Sequence, residues 1–204
     1  NLPPSYHGRA GQLLGYRVGV DFPYKEVDID PYFLGYWLGD GTCSNTQITT
    51  IEECVVDYCY KYAEELNQQI TQGKDTYNDK GNLKHRHSIK YTICGKLLED
   101  GSRTPNQLLH MLQKHNLIGN KHIPHIYKCN SREIRLQLLA GIIDSDGSNS
   151  YNSYDIIQKN ETLLDDIIYL ARSLGFACYK KECKKSCMYN GEKKEGTYYR
   201  TNIH

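Results

Sequence analysis

The chain has 204 residues, 39 per cent of them hydrophobic and 24 per cent charged, with a formal net charge of +1. That balance belongs to a globular protein of one large domain or two small ones and excludes fibrous, collagen-like and disordered classes. No run approaches the roughly 18 consecutive apolar residues of a membrane helix, and Asn1-Leu2-Pro3-Pro4 lacks the basic flank of a signal peptide.

Residues 1–30 read as an irregular lead-in with a short strand near Tyr16 to Val20. Asp30 is placed to cap, and Pro31 to begin, a helix running to Asp40, where Gly41 stops it. A strand at Gln47 to Ile51 precedes a helix from about Ile51 to Gln69, with Val55, Cys59, Tyr62, Ala63 and Leu66 at helical spacing. Residues 71–82 form a polar turn region, His87 to Cys94 alternates as a strand, and Asn106 to Asn116 forms a helix with Leu108, Leu109 and Leu112 inward. In the second half, Ser131 is a candidate cap for a helix through Asp146, followed by a Ser/Asn/Tyr-rich strand region to Gln158. A helix from Asn160 to Leu174 ends at Gly175, and strands follow at Phe176 to Lys185 and Gly196 to Ile203. Helix, strand, helix, strand occurs twice, which is an internal duplication.

Charge is segregated along this order. Residues 52–65 are acidic, whereas Lys84, Arg86, Lys90 and Lys96 form one basic stretch and Lys180, Lys181, Lys184, Lys185, Lys193 and Lys194 a second. Basic, Tyr-rich strands suit a surface that follows phosphates. The eight cysteines are scattered with no Cys-x-x-Cys pair, which suits reduced intracellular thiols better than a disulfide scaffold. His110, His115, His122, His125 and Cys129 match no zinc-ligand spacing.

The duplication is sharpest where the two heading helices end. Phe33-Leu34-Gly35-Tyr36-Trp37-Leu38-Gly39-Asp40-Gly41 superimposes on Leu139-Ala140-Gly141-Ile142-Ile143-Asp144-Ser145-Asp146-Gly147 at a constant offset of 106 residues, 141 against 35, 145 against 39 and 146 against 40. Gly35 and Gly39 share one helical face, as do Gly141 and Ser145, so the two helices are expected to pack closely around a pseudo-twofold axis. Asp40 and Asp146 then meet at helix C-termini, where the macrodipole opposes their charge and each repels the other. A hard divalent cation such as Mg²⁺ is the natural compensation. Between two basic sheets, such a site suits phosphodiester hydrolysis on a duplex.

Both segments resemble the LAGLIDADG motifs of a single-chain homing endonuclease. The second is nearly the consensus, and the first has Leu38 where the motif's earlier Asp would stand. The resemblance extends to the endonuclease domains of inteins: Asp28-Ile29-Asp30-Pro31-Tyr32-Phe33-Leu34-Gly35 is similar to their approach to the first motif. Tyr62-Ala63-Glu64-Glu65-Leu66 and Leu170-Ala171-Arg172-Ser173-Leu174-Gly175-Phe176 resemble the helices after each motif. Gly119-Asn120-Lys121-His122-Ile123-Pro124 resembles the block carrying a catalytic lysine. The resemblance implies an α+β fold, a duplicated αββαββα core with pseudo-twofold symmetry and saddle-shaped sheets in the DNA major groove. It also implies metal-dependent cleavage of both strands of a long, asymmetric target by a monomer.

Asp40, Asp146 and Lys121 are then the catalytic residues, with Asp40 and Asp146 holding Mg²⁺ or Mn²⁺ and the carbonyls of Gly39 and Ser145 as supplementary ligands. Lys84, Arg86, Lys90, Lys96, Lys180, Lys181 and Lys185 become DNA-binding candidates, and Gln47, Thr49, His87, Ser88, Lys90 and Thr92 groove-facing ones. By the same resemblance, residues 1–30 are a lead-in from the splicing domain of an intein, 31–130 the first half and 131–204 a second half cut short before its counterpart lysine. Exteins of a host protein would flank the whole. No N-terminal splicing nucleophile and no terminal His-Asn is read in these residues. Alternatives on the same scaffold are a non-cutting DNA-binding remnant, an RNA-binding maturase and a transcriptional regulator.

Overall fold

The computed structural model describes residues 17–73, 89–150, 152–189 and 192–204. The first half runs α1 (Pro31–Asp40), β1 (Gln47–Thr50), α2 (Glu53–Glu65), β2 (Gln69–Gln72), β3 (Ile89–Cys94) and α3 (Gln107–Lys114). A four-residue helix, α4 (His125–Lys128), leads into the second half: α5 (Arg132–Asp146), β4 (Gly147–Ser150), β5 (Ser153–Gln158), α6 (Glu161–Ser173), β6 (Lys181–Tyr189) and β7 (Glu192–Ile203).

All strand pairing is antiparallel, in two sheets ordered β1-β3-β2 and β4-β5-β7-β6. Gly41 bridges to Ile48 at the place that β4 occupies beside β5, so the first sheet is the second with its outer strand reduced to one bridge. The repeat is therefore helix, two strands, helix, two strands. The simpler alternation of one helix and one strand fails because β2 straddles the end of the stretch read as a helix and the start of that read as a polar turn, and β4 with β5 forms a hairpin.

α1 begins as its sequence dictates: Asp30 Oδ1 accepts the Phe33 amide at 2.9 Å and Pro31 opens the first turn. It is apolar on nearly every face, with Phe33, Leu34, Trp37 and Leu38 buried, which marks a helix enclosed by protein. It packs along α5, whose Leu138, Leu139 and Ile142 are likewise buried. Gly41 and Gly147 end these helices in extended conformation, φ −77° and −83°, and not in the left-handed region. Glycine is required there for space: a Cβ would lie 2.3 Å from the Trp37 carbonyl oxygen and 2.5 Å from that of Ile143.

The lead-in forms no strand over residues 17–20, and Tyr16 lies outside the described residues. It is fastened to the second half instead. Arg135, fully buried, donates to the carbonyls of Asn130, Ser173 and Val20 and to the Ser173 hydroxyl. Val20 donates its amide to the Ser173 carbonyl at 2.8 Å. Among the described residues no helix is long and apolar enough to cross a membrane.

Candidate active site and nucleic-acid interface

The site begins with the helix crossing. A Cβ on Gly35 would stand 2.2 Å from the Leu138 carbonyl oxygen, and one on Gly141 would stand 2.1 Å from that of Tyr32. Residues 141 and 138 are the 106-offset counterparts of 35 and 32, so each helix gives the other the same contact, as an isologous interface requires. Gly39 meets Ser145, its own counterpart, where a Cβ would be 2.0 Å from Ser145 Oγ and 3.1 Å from Asp146 Oδ2. The pseudo-twofold axis therefore passes between Gly39 and Ser145.

One residue beyond the axis, Asp40 and Asp146 face each other. Burial and the field of Asp146 push the Asp40 carboxyl up to about 6, against the opposing pull of Lys121. Burial raises Asp146 as well, resisted by Gln158, whose Nε2 donates to Asp146 Oδ2, and by Lys121. Lys121 is held on the α1 side: its ammonium donates to the carbonyls of Leu38 at 3.0 Å, Gly39 at 3.1 Å and Gly41 at 2.7 Å, and sits 5.1 Å over the Trp37 ring. It thereby fills the role of a cation at the helix C-terminus. Burial lowers its pKa while both acids oppose that shift. The Gly39 carbonyl is engaged by Lys121, and the Ser145 hydroxyl donates to the Gly141 and Ile142 carbonyls at 3.0 and 3.1 Å.

Two features of the site went unread in the sequence. Gln158 carries no motif, and only its place at the end of β5 brings it to Asp146. At the 106-residue offset its counterpart is Glu52, whose charge adds to the field raising Asp40. The two acids thus have unlike supports, an amide beside Asp146 and a further carboxylate near Asp40. Asp144, where the first motif has Leu38, does not join the site; it accepts the Tyr32 hydroxyl at 2.9 Å.

Two half-buried carboxylates, both shifted toward the neutral form by burial, fit a divalent cation of the Mg²⁺ type, which binds through one or two carboxylates and otherwise takes substrate oxygens and water. Among the described residues no group of three or more His, Cys, Asp and Glu side chains is arranged to hold a metal alone.

The family of homing endonucleases matches this chain over residues 122–204. Mesophilic variants of the homing endonuclease I-DmoI share the fold at a TM-score of 0.53 and 16% identity, over 86% of this chain and 87% of that one. A single-substitution variant of I-DmoI in complex with its target DNA in the presence of Mn gives 0.54 at 14% identity over 86% of each chain. The second half thus matches the homing endonuclease family, and the fold is that of the LAGLIDADG homing endonuclease I-DmoI. The replicative DNA helicase DnaB of Mycobacterium intracellulare is 28% identical over 160 residues, 78% of this chain and 21% of that protein. The chain thus spans about a fifth of the length of that relative.

Strand alternation sorts the remaining candidates by sheet face. Ile48, Thr50, Tyr91 and Ile93 are buried on the core face of the first sheet, so Gln47, Thr49, Lys90 and Thr92 share the open one. Lys84, Arg86, His87 and Ser88 lie outside the described residues. Lys96 stands beyond β3 and donates to Asn67 Oδ1 at 2.5 Å. In the second sheet, Ile156, Thr201 and Ile203 are buried, leaving Lys181, Cys183, Lys185, Tyr198, Arg200 and Asn202 on the opposite face.

Lys180 does not join them. It pairs with Glu161 at 2.8 Å and Asp165 at 2.8 Å on α6, which places it on the helix side of the sheet. Conversely, Lys159, absent from the sequence-based set, lines a cleft with Lys185, Lys194 and Tyr198.

Proposed function

We propose that the chain is a site-specific, metal-dependent endonuclease that cuts both strands of duplex DNA, carried within an intein. The observation that supports this most strongly is the meeting of Asp40 and Asp146 at the ends of two interlocked helices, between two sheets whose open faces carry Gln47, Thr49, Lys90 and Thr92 on one side and Lys181, Lys185 and Arg200 on the other.

Asp40 and Asp146 would hold Mg²⁺ or Mn²⁺, with the Gly39 and Ser145 carbonyls beside them. When bound, that cation supplies charge neutralisation at a scissile phosphate and a more acidic water. Lys121, pinned within reach of both acids, contributes fixed positive charge where negative charge grows on the phosphate. Gln158 fixes Asp146 by donating to Oδ2, which leaves Oδ1 free to ligate. The open faces enter the major groove, where Lys90, Lys181 and Lys185 take backbone phosphates and shorter polar side chains meet base edges. Because the two sheets differ residue by residue, the target is asymmetric.

The intein setting is supported by the match to DnaB, which reaches only about a fifth of that protein. The 204 residues contain no Gly-x-x-x-x-Gly-Lys-Ser/Thr phosphate loop, so the shared segment is read as an insertion carrying its own endonuclease. Splicing of the flanking exteins would belong to residues beyond this domain, and DNA as substrate places its work inside the cell.

The deciding experiment incubates the chain with a randomised duplex library in Mg²⁺ or EDTA, with Asp146→Asn alongside, and sequences the cut ends. A Mg²⁺-dependent asymmetric consensus that disappears in the variant is expected. Equal cutting by Asp146→Asn would overturn the assigned site.

A further inference from the structure

The open face of the second sheet carries an acid where a DNA-binding surface should repel one. Asp155 lies on β5, an inner strand, with only 10% of its side chain exposed, and accepts Arg200 Nε of the adjacent inner strand β7 at 2.6 Å. Register sets this pair on the open face: Asp155 faces Asn202 and Arg200 faces Ile157, while Ile156, Thr201 and Ile203 turn into the core.

The bond uses only the Nε edge of the guanidinium. Among the described residues neither Nη atom has a hydrogen-bond partner, and the Arg200 side chain is 46% exposed. Asp155 therefore locks the side chain while its two-pronged end points outward. A phosphate is a poor occupant for that end, since the adjoining carboxylate would repel it. A neutral acceptor pair suits it, and in the major groove guanine O6 and N7 match the two-pronged donor. The place in the sheet agrees: β5 and β7 are inner strands over the groove floor, whereas Lys181 and Lys185 on the outer strand β6 are placed for the backbone.

We propose that Arg200, positioned by Asp155, reads one guanine in the half-target faced by the second sheet. This inference rests on the DNA-cutting function proposed above. Asp155 precedes Gln158, which touches Asp146, by three residues. That is roughly 10 Å along a strand, or roughly three base pairs at 3.4 Å each, from the backbone at that acid.

The test repeats the duplex selection with the full chain and three variants. Wild type should show one strongly preferred G·C pair near that position. Arg200→Lys, which keeps the charge and loses the two-pronged geometry, should lower preference for that pair by roughly 5- to 150-fold, with other positions and the salt dependence of binding unchanged. The double variant Asp155→Asn/Arg200→Gln leaves no buried carboxylate stranded and should move the preference from guanine to adenine, which Gln pairs with in the groove. Asp155→Asn alone should relax the same position and no other, which separates positioning from general support of the fold.

An unchanged consensus in Arg200→Lys and in the double variant, with binding weakened evenly across sequences, would assign Arg200 to a phosphate and overturn the inference while leaving DNA cutting intact. A wild-type chain that enriches no duplex would overturn the DNA function and this inference together.

Discussion

Replacing Asp40 by Asn is expected to destroy cleavage and yet make the metal-free protein more stable. Asp40 carries its charge against burial and against Asp146, which moves its carboxyl from an ordinary 3.8 to about 6 in the folded chain. At about 1.4 kcal/mol per pKa unit that displacement corresponds to about 3 kcal/mol for a fully enclosed group. Asp40 is only half-buried, so solvent screening reduces the working figure to about 1 kcal/mol. For a domain of this size, 1 kcal/mol shifts the melting temperature by about 2–4 °C.

The sign follows from linkage. A carboxyl whose folded pKa is raised costs nothing below its unfolded pKa, where both states are protonated, and destabilises increasingly as pH rises toward the folded value. Melting curves of wild type and Asp40→Asn in EDTA should therefore coincide near pH 4, separate between pH 4 and 6 with the variant higher, and stay apart to pH 8. Mg²⁺ should raise the wild-type melting temperature and leave the variant nearly unmoved. A variant that melts lower than wild type at pH 7.5, or a gap constant from pH 4 to 8, would refute the argument.

Other substitutions probe other parts of the site. Lys121→Met leaves the Leu38, Gly39 and Gly41 carbonyls without their donor; cleavage should fall by at least about 100-fold with DNA affinity within about tenfold, measured by single-turnover cutting and filter binding. Gly35→Ala drives a Cβ to 2.2 Å from the Leu138 carbonyl oxygen, and chemical denaturation should show a loss of about 2–3 kcal/mol. Lys185→Ala should weaken duplex binding and reduce its salt slope by about one unit, whereas Lys180→Ala, which breaks pairs to Glu161 and Asp165, should leave both unchanged. Gln158→Ala should slow cutting of the strand served by Asp146 more than the other, so nicked product should accumulate on supercoiled substrate.

The parts legible in the sequence are those where one local rule decides. Asp30 with Pro31 marks the start of α1, and the repeated small residues mark its crossing with α5, because capping and close approach both depend on residue type at fixed spacing. Lys121 was legible as a position through the block around it, but its three carbonyl partners lie about 80 residues upstream and follow only from tertiary packing. Gln158 carries no local signal. Lys180 and Lys181 look alike in a basic run, yet neighbouring residues in an extended strand face opposite ways, and α6 offers Lys180 two acids. The four residues of α4 are too few to show a helical period, and the polar composition of β2 conceals a strand held by its pairing with β3.

The residues on the pseudo-axis bear on why the two halves share one polypeptide. Gly39 and Ser145 occupy a position where a residue must meet its own copy, and the room there accommodates one hydroxymethyl group, since a Cβ on Gly39 would stand 2.0 Å from Ser145 Oγ. Two identical subunits could offer only a matched pair: two serines that collide or two glycines that leave a gap. Fusion allows an unequal pair, so the joint of this molecule is keyed for partners that are no longer interchangeable. Each half is thereby released from having to complement itself and, under the proposed function, is free to diverge against its own half-target.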